Sequence, residues 1–253
     1  MRLAGVAAPV TGRATRALAK GVLVLGSLVV GMLVAPESAS AFTAAPPEEH
    51  AANALYYGDP GTGRSSRTDS PYIRAVARIL KRQTSYLETA CAAPHAAIVF
   101  DVDDTLLSTY DMYVGAMHYR LDRPLKATWV RREKFVAVPG MVNFAKLAKS
   151  SGCRLLVVSG RPSDQQTATL GNLRKVGYPA ISKIFSPVAG SGLTTQQFKT
   201  RTRARLVRAG VVLVANVGDQ TSDLAGDLGV VSGKAGALAA RDIRLPNRMY
   251  TIP

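Results

Sequence analysis

Cysteine, histidine and tryptophan are scarce in this chain of 253 residues, which has 2 cysteines, 3 histidines and 1 tryptophan. Protein zinc sites are built from several Cys or His ligands at characteristic spacings. His50, His95 and His118 have no partner at such a spacing, so the sequence argues against zinc. A metal bound by this chain is instead expected to be a hard cation with oxygen ligands.

Acidic residues are also few, with 17 Asp and Glu against 32 Lys and Arg and a net charge of +15. Hydrophobic residues make up 47% of the chain and charged residues only 19%, which indicates a folded domain rather than a disordered chain. An excess of positive charge attracts phosphorylated anions. The basic residues are spread along the chain with few clustered runs, so no dedicated nucleic-acid partner is predicted.

The apolar run near the N-terminus is short. Residues 21–34 form 14 residues without a charge, fewer than the roughly 20 that a membrane-spanning helix needs. Four cations precede the run, and Pro36 and Ala39-Ser40-Ala41 follow it. This order predicts a cleavable signal peptide over residues 1–41, secretion, and no stable membrane anchor. The alternative interpretation is an uncleaved anchor.

The two cysteines leave two interpretations open. Cys91 precedes one predicted strand and Cys153 begins another. If these strands are neighbours, a disulfide can join their amino ends in an oxidising compartment. Otherwise both residues are buried thiols that act as small hydrophobic side chains.

Residues 42–70 are rich in Pro, Gly, Ser and Ala and lack a sustained apolar period. This composition predicts a flexible linker. Ser70 and Pro71 then form a favourable helix start, because Ser caps a helix and Pro suits its first turn. A single domain is expected over residues 71–253.

From residue 96 onwards, short apolar runs alternate with amphipathic segments. The predicted strands are 97–100, 155–158, 181–185, 211–217 and a weaker one near 229–231, and the predicted helices are 141–149, 164–175 and 195–208. This alternation is typical of an α/β fold with a parallel sheet flanked by helices. Residues 106–138 are inserted directly after the first strand and contain Trp129. An insertion at the carboxyl edge of a parallel sheet predicts a small cap over a ligand site.

Three carboxylates follow the first predicted strand, at Asp101, Asp103 and Asp104. Like charges so close together repel and raise one another's pKa. One of Asp101 and Asp103 can therefore act as a nucleophile while the other, held protonated, acts as a general acid. The alternative is a turn that caps the next helix through Asp104 or Thr105.

Further polar residues follow the other strands. Ser159 and Gly160 end the second strand, where a hydroxyl group and backbone amides can bind a phosphoryl oxygen, although Ser-Gly also caps ordinary loops. Asp219 and Asp223 follow the fourth strand, and such carboxylates suit Mg²⁺. A structural calcium loop normally has more oxygen donors. The cation that offsets this negative charge has two candidates, Lys183 and Lys199.

The ordered motifs Asp-x-Asp, Ser, Lys and Gly-Asp-x-x-x-Asp resemble those of the haloacid dehalogenase (HAD) superfamily of phosphatases. More narrowly, "VFDVDDTLLSTY", "GDQTSDLAG" and the terminal "RLPNRMYTIP" resemble its acid phosphatase branch, subfamily IIIB. That branch includes secreted bacterial acid phosphatases and plant vegetative storage proteins. The resemblance covers residues 71–253 and implies a Rossmann-like fold with a small cap inserted after the first strand.

The resemblance also implies residue roles, with Lys199 favoured over Lys183. The implied roles are Asp101 as nucleophile and metal ligand, Asp103 as acid and base whose backbone carbonyl also reaches the metal, Ser159, Gly160 and Lys199 as phosphate-binding residues, and Asp219 and Asp223 as residues of the Mg²⁺ site.

The expected function is that of a secreted, Mg²⁺-dependent acid phosphatase that hydrolyses small phosphomonoesters through an aspartyl-phosphate. The alternatives on the same fold are a phosphotransferase and a non-catalytic storage or binding protein. Loss of the nucleophile would mark the non-catalytic protein, and Asp101 is present.

Overall fold

The protein is described by a computed structural model that covers residues 42–224 and 241–252. The predicted signal peptide over residues 1–41 and the weak strand predicted near 229–231 lie outside the described residues. Among the residues that are described, no helix is both long and apolar enough to cross a membrane.

Helices and strands alternate along most of the chain. The helices are α1 His50–Tyr57, α2 Pro71–Lys81, α3 Thr84–Ala90, α4 Arg123–Arg131, α5 Met141–Ser150, α6 Gln166–Lys175 and α7 Thr195–Arg208. The strands are β1 Thr43–Ala44, β2 Ala96–Phe100, β3 Leu107–Ser108, β4 Val136–Ala137, β5 Arg154–Val158, β6 Lys183–Phe185, β7 Val212–Gly218, β8 Arg241–Arg244 and β9 Tyr250–Thr251. Ser70 caps α2 by accepting a hydrogen bond from the backbone N–H of Ile73, as its position predicts.

The main sheet has five parallel strands in the order β6-β5-β2-β7-β8. All five residues of the central strand β2 are buried, because helices cover both faces of a parallel sheet. The predicted α/β fold is therefore confirmed. The edge strand β8 was not predicted from the sequence. Three of its four residues are charged and only Ile243 is buried, so it lacks the apolar run that identifies an inner strand.

The strand order brings three sequence motifs to one edge of the sheet. β2 lies between β5 and β7, so the residues that follow these three strands are neighbours at the carboxyl edge. The backbone N–H of Asp101 donates to the carbonyl of Val217 at 3.0 Å, and that of Ser159 donates to Phe185 at 3.0 Å. Both motifs thus begin while still hydrogen-bonded to the neighbouring strand, which fixes their direction.

The flexible linker predicted over residues 42–70 is instead folded onto the domain. β1 pairs antiparallel with β9, and Tyr57 of α1 is only 2% exposed. Its ring centroid lies 4.6 Å from that of Tyr72 and 4.7 Å from that of Tyr110. The composition wrongly predicted a flexible linker because single aromatic rings hold this segment on the domain. These rings do not recur at a helical or strand spacing, so the sequence gives no sign of their contacts.

The insertion at residues 106–138 begins directly after the loop that follows β2. It contains the antiparallel pair β3–β4, a π-helical turn at Asp111–Ala116, and α4. The side chain of Asn172 in α6 fixes the end of the insertion, because it accepts from the N–H of Phe135 at 3.0 Å and donates to its carbonyl at 2.8 Å. This insertion is called the cap below.

Cys91 and Cys153 form a disulfide with a Cα–Cα distance of 4.7 Å. Cys91 follows α3, and Cys153 directly precedes β5. Of the two interpretations that the sequence allows, the structure therefore has the bridge. It lies at the amino end of β5, opposite the edge where the sequence motifs meet.

Candidate active site

Asp101 is buried at the carboxyl end of β2 and contacts a lysine from α7. The Nζ atom of Lys199 donates to Oδ1 of Asp101 at 2.7 Å and also forms an ion pair with Oδ1 of Asp223. Lys183, the other candidate, is exposed on β6 and lies over the ring of Phe185. The structure thus places Lys199, rather than Lys183, beside the predicted nucleophile.

Three carboxylates converge at this point. One oxygen from each of Asp101, Asp219 and Asp223 lies within 4.8 Å of the other two, and all three residues are buried. These residues are called the carboxylate cluster. Burial raises the pKa of Asp101 to about 7, because Lys199 only partly offsets it and the charge of Asp223 adds to it. Burial and the nearby charge of Asp223 likewise hold the pKa of Asp219 well above its usual range.

The carboxylate cluster could hold a metal ion. When ionised, its three carboxylates carry three negative charges, against one positive charge on Lys199. A divalent cation would compensate the remaining charge. It would also favour the ionised forms of Asp101 and Asp219, whose pKa values are raised. The donor atoms are all carboxylate oxygens, a set that suits a hard cation.

Asp219 is held in place by the C-terminal segment. The side-chain amide of Asn247 donates to Oδ2 of Asp219 at 2.7 Å, and the amide of Gln220 donates to the same oxygen. Asn247 is itself fixed, because its Oδ1 accepts from the N–H of Met249 at 2.8 Å. Sequence reasoning missed Asn247, although it lies within the terminal stretch that carried the family resemblance.

Asp103 has a different environment from Asp101. Arg161 donates to its Oδ1 from Nε at 3.0 Å and from Nη2 at 2.6 Å, and Lys126 of the cap approaches Oδ2 at 2.8 Å. These three residues are called the cap-side cluster. Burial alone would raise the pKa of Asp103, but the charges of Arg161 and then Lys126 outweigh it and lower the pKa below its usual range. The expectation that Asp103 is held protonated is therefore corrected, since here it is an ionised partner of two cations.

Neither cation of the cap-side cluster was singled out from the sequence. Arg161 directly follows Ser159 and Gly160, so its position in a predicted phosphate loop was an available signal. Lys126 is one of several charged residues of the cap and looks like part of a solvated helix face. Only the folded structure shows that it contacts Asp103.

Ser159 and Gly160 lie at the end of β5, next to β2. Ser159 is buried, and its Oγ accepts from the backbone N–H of Arg161 at 3.1 Å. Gly160 is exposed and lies close to the side chain of Thr195, at the start of α7. The loop is thus placed at the same sheet edge as Asp101 and Lys199.

Asp104 has a structural role, but not the helix cap that the sequence left as an alternative, because the helical turn Asp111–Ala116 that follows begins without a side-chain cap. It accepts from the backbone N–H of Thr109 at 2.8 Å and from the hydroxyl of Tyr250 at 2.6 Å. Its φ of 54° turns the chain sharply after the motif. Burial raises its pKa to about 6, and these hydrogen bonds counter the shift. Asp104 therefore connects the turn to the C-terminal strand and is not one of the three residues of the carboxylate cluster.

The fold has a solved counterpart among the acid phosphatases. The class C acid phosphatase from Bacillus anthracis superposes with a TM-score of 0.60 over 81% of this chain and 86% of that chain, at 21% identity. At this identity the match establishes the fold alone.

Sequence comparison supplies the family. The stem 28 kDa glycoprotein of Glycine max is 31% identical over 195 residues, which cover 75% of this chain and 71% of the relative. Acid phosphatase 1 of Solanum lycopersicum is 29% identical over 61% of this chain and 58% of the relative. The model of the acid phosphatases, HAD superfamily subfamily IIIB, matches residues 47–253. The chain belongs to this family and is a phosphomonoesterase that acts on small phosphate esters.

Proposed function

We propose that this phosphatase is a secreted, Mg²⁺-dependent enzyme that works through an aspartyl-phosphate on Asp101. One observation carries the proposal: Asp101 lies at the end of the central strand, paired with Lys199 inside the carboxylate cluster. Asp103 follows two residues later and faces the cap. A nucleophile, a cation for the phosphoryl oxygens and an acid–base group are then within one site.

In the first step an oxygen of Asp101 attacks phosphorus as the bond to the ester oxygen breaks. Lys199 and the loop of Ser159 and Gly160 stabilise the charge on the transferring oxygens. Asp103 takes up a proton from solvent when the substrate binds and donates it to the leaving alcohol. The substrate phosphate competes for the cations that pair with Asp103. Binding of the substrate therefore weakens the interactions that lower the pKa of Asp103, and this pKa rises.

In the second step water attacks the phosphorus of the aspartyl-phosphate. Asp103, now deprotonated, accepts a proton from that water, and the carboxylate of Asp101 leaves. Inorganic phosphate is released and Asp101 is again a free carboxylate. Asp103 loses the proton that it accepted from water to solvent as it pairs again with its two cations. Asp101 thus serves as nucleophile in one step and as leaving group in the next.

Asp101, Asp219 and Asp223, with the backbone carbonyl of Asp103, would hold the Mg²⁺. When bound, this ion supplies positive charge that offsets the cluster and the substrate dianion. Lys199 pairs with both Asp101 and Asp223 and so supplies positive charge beside these two carboxylates. Asn247 would keep Asp219 oriented towards the ion.

The test is a hydrolysis screen over phosphomonoesters, with and without Mg²⁺, that measures phosphate release. We expect Mg²⁺-dependent turnover, and acid quenching during turnover should trap a phosphoryl group on the peptide that contains Asp101. Turnover without any modification of that peptide would contradict the covalent mechanism.

Secretion is proposed from the N-terminal sequence, and the disulfide supports it because such bonds persist in oxidising compartments. Mass spectrometry of protein from the culture medium should give a mature chain that begins at or near Phe42. Recovery of the intact chain from membranes would contradict the proposal.

A further inference from the structure

The cap-side cluster carries more positive charge than Asp103 can neutralise. Arg161 alone makes two hydrogen bonds to Oδ1 of Asp103 and is almost fully buried. Lys126 adds a second positive charge at Oδ2, and its side chain remains 31% exposed. Two cations around one carboxylate leave one positive charge in excess, and Lys126 is the cation that solvent and ligands can reach.

Lys126 has a fixed position on the cap. It lies in the first turns of α4, where Asp122 caps the helix by accepting from the N–H of Leu125 at 2.8 Å. Arg161 is committed elsewhere, because its Nη1 donates to the hydroxyl of Thr169 at 3.1 Å. Of the two cations, Lys126 is therefore the one whose charge is presented from the cap towards the site.

The proposed role of Asp103 determines which part of the substrate lies near Lys126. To protonate the leaving alcohol, Asp103 must lie within hydrogen-bond distance of the ester oxygen. The Nζ atom of Lys126 is 2.8 Å from the same carboxylate. Atoms a few bonds beyond the ester oxygen, in the leaving group, therefore come within reach of Lys126.

We propose that Lys126 is a specificity-determining residue that selects phosphomonoesters whose leaving group carries a second anionic group near the ester oxygen. Phosphorylated hydroxy acids are the substrate class with this chemistry. The inference rests on the proposed function, because it uses Asp103 as the acid at the leaving group. A contact between a half-buried ammonium group and a carboxylate is a charge-assisted hydrogen bond, which is stronger than a neutral one.

Two substrates that differ at one group test the proposal. The alcohol released from 3-phosphoglycerate carries a carboxylate, whereas the alcohol released from glycerol 3-phosphate is neutral. In the presence of Mg²⁺, the wild-type protein should have the higher kcat/KM for 3-phosphoglycerate. Lys126→Gln should reduce this preference by about tenfold, the size expected for a hydrogen bond between charged groups.

Two further variants act as controls. Lys126→Arg retains the charge and should restore most of the preference. Lys134→Gln removes one charge from an exposed position of the cap and should leave the preference unchanged.

The outcomes separate this inference from the proposed function. Equal loss on both substrates in Lys126→Gln, with the same change in both pH profiles, would mean that Lys126 acts only through Asp103 and would overturn the inference. No change on either substrate would overturn it as well. Absence of turnover by the wild-type protein on every phosphomonoester would instead refute the proposed function.

Discussion

The carboxylate cluster and the cap-side cluster are adjacent at the carboxyl edge of the sheet, but their charges are opposite. The first combines three carboxylates with one lysine, which pairs with two of them, and the second places two cations around one carboxylate. Asp101 and Asp103, two residues apart, consequently have pKa values shifted in opposite directions. The comparison shows that neighbouring residues of one motif can acquire different chemistry from the elements that surround them.

The difference arises from the fold. The partners of Asp101 come from α7 and from the loop that follows β7, whereas the partners of Asp103 come from the cap and from the loop after β5. A surplus of negative charge suits a metal ion, and a surplus of positive charge suits an anionic substrate group.

Asp101→Asn should reduce turnover by about a thousandfold or more, as expected when a nucleophile is removed. The amide has nearly the same shape, and Lys199 retains its ion pair with Asp223, so the fold should persist. Phosphate release and thermal melting measure the two quantities. Asp164→Asn, at an exposed position before α6, is the matched control and should keep full activity. Substantial turnover by Asp101→Asn would remove this residue from the mechanism.

Asp219→Asn should raise the Mg²⁺ concentration required for half-maximal activity by about 100-fold or more, since it removes a proposed ligand. Treatment of the wild-type protein with EDTA should abolish activity, and added Mg²⁺ should restore it. Thermal stabilisation by Mg²⁺ gives a measurement that does not depend on turnover. Full activity in metal-free buffer would contradict the metal site.

Asn247→Ala should weaken Mg²⁺ binding by about tenfold, because residues that orient a metal ligand typically have effects of this size. Its amide holds Asp219 at 2.7 Å and has no place among the proposed ligands, so kcat at saturating Mg²⁺ should change less than the Mg²⁺ requirement. Magnesium titrations of activity and of melting temperature measure both. Asn143→Ala, on the exposed face of α5, is the control. A loss of kcat that excess Mg²⁺ does not restore would show that Asn247 has a different role.

The parts of the molecule that repeat a simple pattern were predictable from the sequence. β2 and β7 are apolar runs that end in carboxylates, so the positions of Asp101 and Asp219 at one sheet edge followed from the α/β pattern. Helix α7 begins and ends where its amphipathic pattern predicts. The pairing of Cys91 with Cys153 depended on which strands are neighbours, and β2 and β5 are.

The parts that depend on single contacts between distant segments were not predictable. Lys126 and Asp103 are paired only because α4 is placed over the site, and nothing in the local sequence of α4 marks this lysine. Asn247 reaches Asp219 across 28 positions of the chain. Residues 42–70 were interpreted as a flexible linker because their contacts are made by separate aromatic rings and by β1, a strand of only two residues.

The disulfide should have the smallest effect on activity and a large effect on stability. It closes a loop of 62 positions, for which chain entropy predicts a contribution to the free energy of unfolding of up to about 4 kcal/mol. The double variant Cys91→Ala and Cys153→Ala avoids placing hydroxyl groups at two buried positions. Its melting temperature should fall, while its kcat/KM and Mg²⁺ requirement should stay close to those of the wild-type protein at temperatures well below melting.

Activity should be unaffected because the disulfide is far from the site. The bridge lies at the amino end of β5 and the two clusters lie beyond its carboxyl end, about 15 Å away for a strand of this length. A fall in Mg²⁺ affinity as large as that expected for Asn247→Ala would show that the opposite ends of the sheet are coupled. The different properties of the two clusters would then depend on the whole domain rather than on their immediate neighbours.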